Sequence, residues 1–179
     1  MKIGKILVLV GALLTLVSTF LFSFGQTVGP DGRTLTSGIG FLFNLPEIFG
    51  NVAYWNGLNG GETALQYTFS IVFIVFVLSG VIQLLGFVNK YVSIIGSLIA
   101  LAFAITMIVF ITVDVPGWGF NRYSSLLWRA PIVDGILPFD LPLIAASGSF
   151  YLAYSLGTIT LMAGGALGLV GGILSIKDI

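Results

Sequence analysis

YTFSIVFIVFVLSGVIQLLGFVNKYVSIIGSLIALAFAITMIVFITV, residues 67 to 113, carries one charged side chain, Lys90, in 47 positions. A bilayer core is crossed by about 20 consecutive apolar residues in a helix, so the stretch is too long for one crossing and suits two. Lys90 falls between them. The reading is therefore two transmembrane helices, 67–88 and 91–113, running in opposite directions and joined by a tight turn.

Working outward, residues 6–24 form a third apolar window, and the long apolar tract 141–176 contains a fourth, placed at about 150–174 because a helix rises roughly 1.5 Å per residue. None of the four windows contains Asp, Glu, Lys or Arg. Hydrophobic residues make up 57% of the 179 positions and charged residues 8%, against about 25% charged in soluble domains. The chain reads as one integral membrane domain. MKIGK at the start resembles the basic region of a secretory leader, with Ser23-Phe24-Gly25 as a loose cleavage site. The apolar run that follows is longer than the usual 7 to 15 residues of a leader, so it is read as a retained span.

Orientation follows from lysines and arginines near the span ends. Lys2 and Lys5 precede the first span, Lys90 sits in the short turn and Lys177 follows the last span. This pattern predicts both termini in the cytoplasm of a multi-pass cell-membrane protein. The two long connections, 25–66 and 114–149, would then be external; they carry Arg33, Arg122 and Arg129 with six acids.

Connections of this length normally fold or function. In the first, QTVGPDGRTLT places Pro-Asp-Gly between Thr- and Val-bearing flanks and reads as a β-hairpin. LPEIFGNVAYWNG then reads as a short helix with Pro46 in its first turn, Glu47 near its positive end and Asn56-Gly57 at its close. Ile48, Phe49, Val52 and Trp55 would share one face. In the second connection, Trp118, Phe120, Tyr123 and Trp128 surround Arg122 and Arg129. Such aromatics gather at membrane interfaces, and arginine stacks or snorkels beside them. Trp55, Trp118, Trp128, Arg122 and Arg129 are thus the candidates for external interaction. Salt bridges from the two arginines to Asp114, Asp134 or Asp140 are the simpler use of the same charges.

The residue inventory narrows the chemistry. The chain has no Cys and no His, and the external acids match no calcium loop, so no metal or other cofactor is expected. Neither a nucleophile elbow nor a phosphate-binding loop is present, and catalysis by this chain is not expected. Net charge is zero, with no basic field for nucleic acid. Ion and proton paths ordinarily place ionisable groups at bilayer depth. The strongest polar group within a span is instead Gln83, read as a hydrogen-bonding link to a neighbouring helix.

Small residues carry the most specific pattern. Gly164, Gly168 and Gly172 form two overlapping small-xxx-small motifs, and Gly157 precedes them by seven; Gly96, Ala100 and Ala104 repeat the spacing in the third span. In the first span Gly4, Gly11, Ser18 and Gly25 recur every seven, the period of a left-handed seam. Lipid supplies no hydrophobic drive between helices, so close backbone approach is what holds them together. These faces would close the bundle or meet another chain.

Four spans, both ends inside and a larger first external loop resemble the layout of claudin-type tetraspan proteins. Those proteins carry Trp, then Gly-Leu-Trp, with a cysteine pair, whereas Trp55-Asn56-Gly57-Leu58 has neither the second Trp nor a cysteine. The expected fold is an all-α four-transmembrane-helix bundle with a small folded external cap. The expected role is a non-catalytic structural or accessory subunit, packing through glycine-lined faces against other membrane subunits or copies of itself within the lipid bilayer. A small transporter or channel, with its pore formed by several copies, is the alternative.

Overall fold

A computed structural model describes residues 2–29, 32–54, 63–112, 129–130 and 156–177. Its elements in chain order are α1 (Ile3–Leu21), β1 (Gly25–Gly29), β2 (Gly32–Thr36), α2 (Gly38–Gly50), α3 (Thr63–Leu85), α4 (Lys90–Thr112), β3 (Arg129–Ala130) and α5 (Leu156–Lys177). Four of these helices, α1, α3, α4 and α5, are long and apolar enough to cross a membrane. At 19 to 23 residues they measure about 28 to 35 Å, close to the thickness of a hydrocarbon core. A helix is the form such segments take because it satisfies every internal backbone donor and acceptor without water.

The helices close a ring in which α1 packs on α5, α5 on α4, α4 on α3 and α3 on α1. The α1–α5 contact is the most extensive. Between α3 and α4 the chain turns through Gly86 to Asn89, and the Asn89 side chain starts α4 by accepting a bond from the Tyr91 N–H at 3.0 Å. The ends of the sequence windows shift by a few residues: α1 begins at Ile3 and α3 at Thr63, while residues 150–155 of the fourth window lie outside the described part.

At the other end of the bundle, β1 and β2 pair antiparallel, with Gly25 opposite Thr36 and Gly29 opposite Gly32. β3 adds to the far edge of β2 through Leu35–Ala130 and Thr36–Arg129. The helix read as starting at Pro46 begins eight positions earlier, at Gly38, with Ser37 as its cap: the Ser37 hydroxyl accepts from the Gly40 N–H at 3.2 Å. Pro46 therefore lies inside α2, where a proline removes a backbone donor at a cost of about 3 kcal/mol. Burial on both sides of it offsets that loss, because Phe41 and Ile48 are both buried in the core. Phe49, expected on the same face as Ile48, is instead exposed and stacks on Tyr67 at 6.0 Å between ring centroids.

The core at this end is aromatic. Phe76 stacks on Phe103 at 4.0 Å with 10° between the rings, and Phe24 meets Phe76 edge-on at 5.8 Å. Phe73 meets Phe103 at 5.7 Å and Phe41 at 5.6 Å, which ties α2 to the bundle. Ile48, Val77, Ala100, Ala104, Met107 and Leu161 complete the cluster.

Candidate functional site

Small residues set how near the helices come. On α1 the buried positions include Gly4, Val8, Gly11, Thr15 and Ser18, alternating four and three apart. On α5 they include Gly157, Leu161, Gly164, Gly168 and Gly171 in the same alternation. The two rows meet antiparallel. A methyl group on Gly11 would lie 2.5 Å from the Gly168 nitrogen and 2.7 Å from the Gly164 oxygen; one on Gly171 would lie 2.6 Å from the Val8 nitrogen. Two turns beyond Gly11 the Ser18 hydroxyl donates to the Gly157 carbonyl. The contact is mostly backbone against backbone, with the small Thr15, Ser18 and Ser175 side chains fitted into it.

The row Gly164, Gly168, Gly172 does not act as one face. Gly164 lies on Thr15 and Gly11 of α1, Gly168 also approaches Ser97 and Gln83, and Gly172 meets Ile94 of α4. Helix geometry explains the split, since a spacing of four advances about 40° around the axis at each step whereas a spacing of seven drifts only about 20°. Gly171 is the α1-facing residue that the four-residue pattern passes over. Gly165 packs on Leu101 and Gly96 on the Gln83 nitrogen, 2.7 Å from where its methyl would be, while Ala100 and Ala104 are fully buried. All of these small residues contact other helices of the same chain.

Hydroxyls in the helices mostly turn back on their own backbone, as Thr15 does to the Gly11 carbonyl at 3.0 Å and Ser97 to that of Ser93 at 2.7 Å. Gln83 behaves differently from the expectation. It is fully buried, packed beside Gly96 and Gly168, yet neither its amide nitrogen nor its oxygen has a hydrogen-bond partner within the protein. Ser79 and Ser93, near it on α3 and α4, are likewise unpaired and buried. These residues form a polar seam within the bundle.

The seam leads toward a pocket of about 430 Å³ at the α3–α4 turn, lined by Lys5, Phe87, Asn89, Lys90, Tyr91 and Ser175 among others. The Lys5 ammonium lies 5.1 Å from the Phe87 ring centroid and that of Lys90 5.7 Å from Tyr91. The Ser175 hydroxyl is buried against Gly4 without a partner in the protein. Among the described residues the single carboxylate is Glu47, on α2. α2 packs its first residue against Thr19 of α1, about 20 Å along the helix axis from Lys5. Lysines noted for orientation alone thus line a shared cavity, which no linear motif marks because its parts come from residues 5, 8, 86–91 and 175.

Of the external candidates, Trp55, Trp118, Arg122 and Trp128 lie outside the described residues. Arg129 is described by its backbone, paired with Thr36 in the sheet. No group of His, Cys, Asp and Glu that could hold a metal occurs among the described residues.

Four apolar membrane-length helices packed around one another define a multi-pass membrane protein of the helical-bundle class. Compared with known protein families, characterised proteins and solved structures, the chain matches none.

Proposed function

We propose that this protein is a non-catalytic structural or accessory subunit of a membrane assembly, either of several proteins or of its own copies, with both termini in the cytoplasm. The observation that carries the reading is the α1–α5 seam. Backbone-close packing of this kind yields a rigid scaffold, and it leaves no ionisable side chain along the described interior of the bundle. Lys2, Lys5 and Lys90 gather at one end, which supports an inside location for that end. With its glycine faces used internally, the bundle would meet partners through its outer aliphatic surface, through the end that carries α2 and the strands, and through the external aromatic and arginine residues.

The experiment is purification of tagged protein from native membranes in mild detergent, with mass determination of the intact particle. A stable complex or oligomer is expected, and a lone monomer would overturn the proposal. A C-terminal reporter should be accessible from the cytoplasmic side only. The polar seam at Gln83 favours a second reading, a transporter or channel. Solute or ion flux into liposomes containing this protein alone would establish that reading against the first.

A further inference from the structure

We infer that the pocket between α1, the α3–α4 turn and the end of α5 binds the phosphate headgroup of an anionic membrane lipid. Its volume of about 430 Å³ falls within the 300 to 1,000 Å³ common to small-ligand sites. Two N-terminal and two C-terminal helix ends converge here, so their dipoles largely oppose one another. Charge is therefore decided by side chains, and the described ones that line the pocket are Lys5 and Lys90 with no carboxylate. Contact with Phe87 and Tyr91 holds each ammonium by its attraction to a ring while its N–H donors remain able to reach an oxyanion.

Ser175 also lines the cavity, with its hydroxyl buried against Gly4, so the end of α5 closes the pocket behind the two lysines. The rim argues for a lipid rather than a free ion. Val88 is 92% exposed, Tyr91 60% and Phe87 38%, so an apolar collar stands beside the two cations. That pairing complements a molecule with a charged head and hydrocarbon chains, and the collar has no use for inorganic phosphate. The inference rests on membrane embedding and stands apart from the subunit role. Lipid binding by a lone monomer would refute that role and leave this site intact.

The test titrates full-length protein in detergent with short-chain phosphatidylglycerol, following bound lipid by native mass spectrometry. Parallel titrations use phosphatidylcholine and sodium phosphate. Phosphatidylglycerol should bind most tightly, and Lys5→Gln with Lys90→Gln should weaken it about 30-fold, the factor matching two lysines at about 1 kcal/mol each near an anionic surface. Lys2→Gln, outside the pocket, should have little effect. Equal binding of phosphatidylcholine by the unaltered protein overturns the inference without reference to any variant. So does a Lys2→Gln loss as large as that of Lys5→Gln, which would mean diffuse charge attraction. Displacement of the lipid by phosphate at equal concentration would assign the site to a free anion instead.

Discussion

Replacing Gly11 by alanine adds one methyl group where α1 and α5 are in backbone contact. Its carbon would lie 2.5 Å from the Gly168 nitrogen, 2.7 Å from the Gly164 oxygen and 2.8 Å from the Gly168 Cα. Ordinary contact begins at 3.4 Å, so the helices must part locally by about 0.9 Å, the difference between 3.4 and 2.5 Å. No side chain can rotate out of the way. A gap of 0.5 to 1 Å forfeits a quarter to a half of the attraction between facing atoms, and overpacking of a close-fitted interior costs about 1–3 kcal/mol. The upper half of that range is expected here, since Gly4, Gly164 and Gly171 share the seam and lose contact together.

Alanine's helix preference returns up to about 1 kcal/mol, leaving a net cost of about 1–3 kcal/mol, and at about 2–4 °C per kcal/mol for a chain of this size Gly11→Ala should lower the melting temperature by about 2–12 °C. Differential scanning fluorimetry in one detergent would measure it. Gly50→Ala is the matched control: a methyl there meets nothing within 4 Å, and alanine favours the helix by up to about 1 kcal/mol, so stability should hold or rise. Gly11→Ala protein that melts with the unaltered protein would refute the seam, because no rearrangement of side chains could absorb the methyl.

Three further variants test other parts of the bundle. Gln83→Leu removes a buried amide with no partner in the protein and should raise stability by about 1–3 kcal/mol in chemical denaturation; a loss would mean that the amide bonds to something outside the chain. Gly168→Leu should destabilise the isolated protein rather than only its association with others, since the side chain would run into Ser97 and Gln83, and thermal melting at low protein concentration separates the two effects. Phe76→Ala empties the ring stacked on Phe103 and should cost about 3 kcal/mol, near the low end for such cavities because lipid lessens the transfer term, as read by thermal melting.

The spans were legible because bilayer thickness imposes a one-dimensional rule, a length of apolar residues without charge, that a sequence states directly. Their ends were less so. Asn89 begins α4 through a side-chain bond and Ser37 begins α2, and in each case one polar residue outweighs the apolar window beside it. Pro46 misled for a related reason: it suits the first turn of a helix, and only the burial of Phe41 ahead of it reveals that α2 has already started. The heptad on α1 was visible as Gly4, Gly11 and Ser18, yet its mates on α5 were obscured because glycine there occurs at two spacings and only one of them remains on a face. The lysine pocket could not be read at all. Lys5, Lys90 and Ser175 become neighbours only when the first, third and last apolar segments pack together at one end.

Where the glycines point also limits what another protein could recognise. Leu13, Ile71, Val75, Ile95, Leu98 and Val170 lie on the outer surface, and lipid tails solvate such side chains as well as another helix would. Removing them from lipid gives a partner almost no hydrophobic gain. Close backbone approach would supply the missing attraction, but the described glycines of α5 already face α1, α3 and α4. Specific association must then draw on groups that lipid tails cannot satisfy. The two ends of the bundle hold them: lysines beside the α3–α4 turn, and strand edges with the Ser37-capped helix at the other end. A lipid seated on the lysines would in turn alter the surface that a partner meets at that end, so lipid composition and assembly would be linked through Lys5 and Lys90.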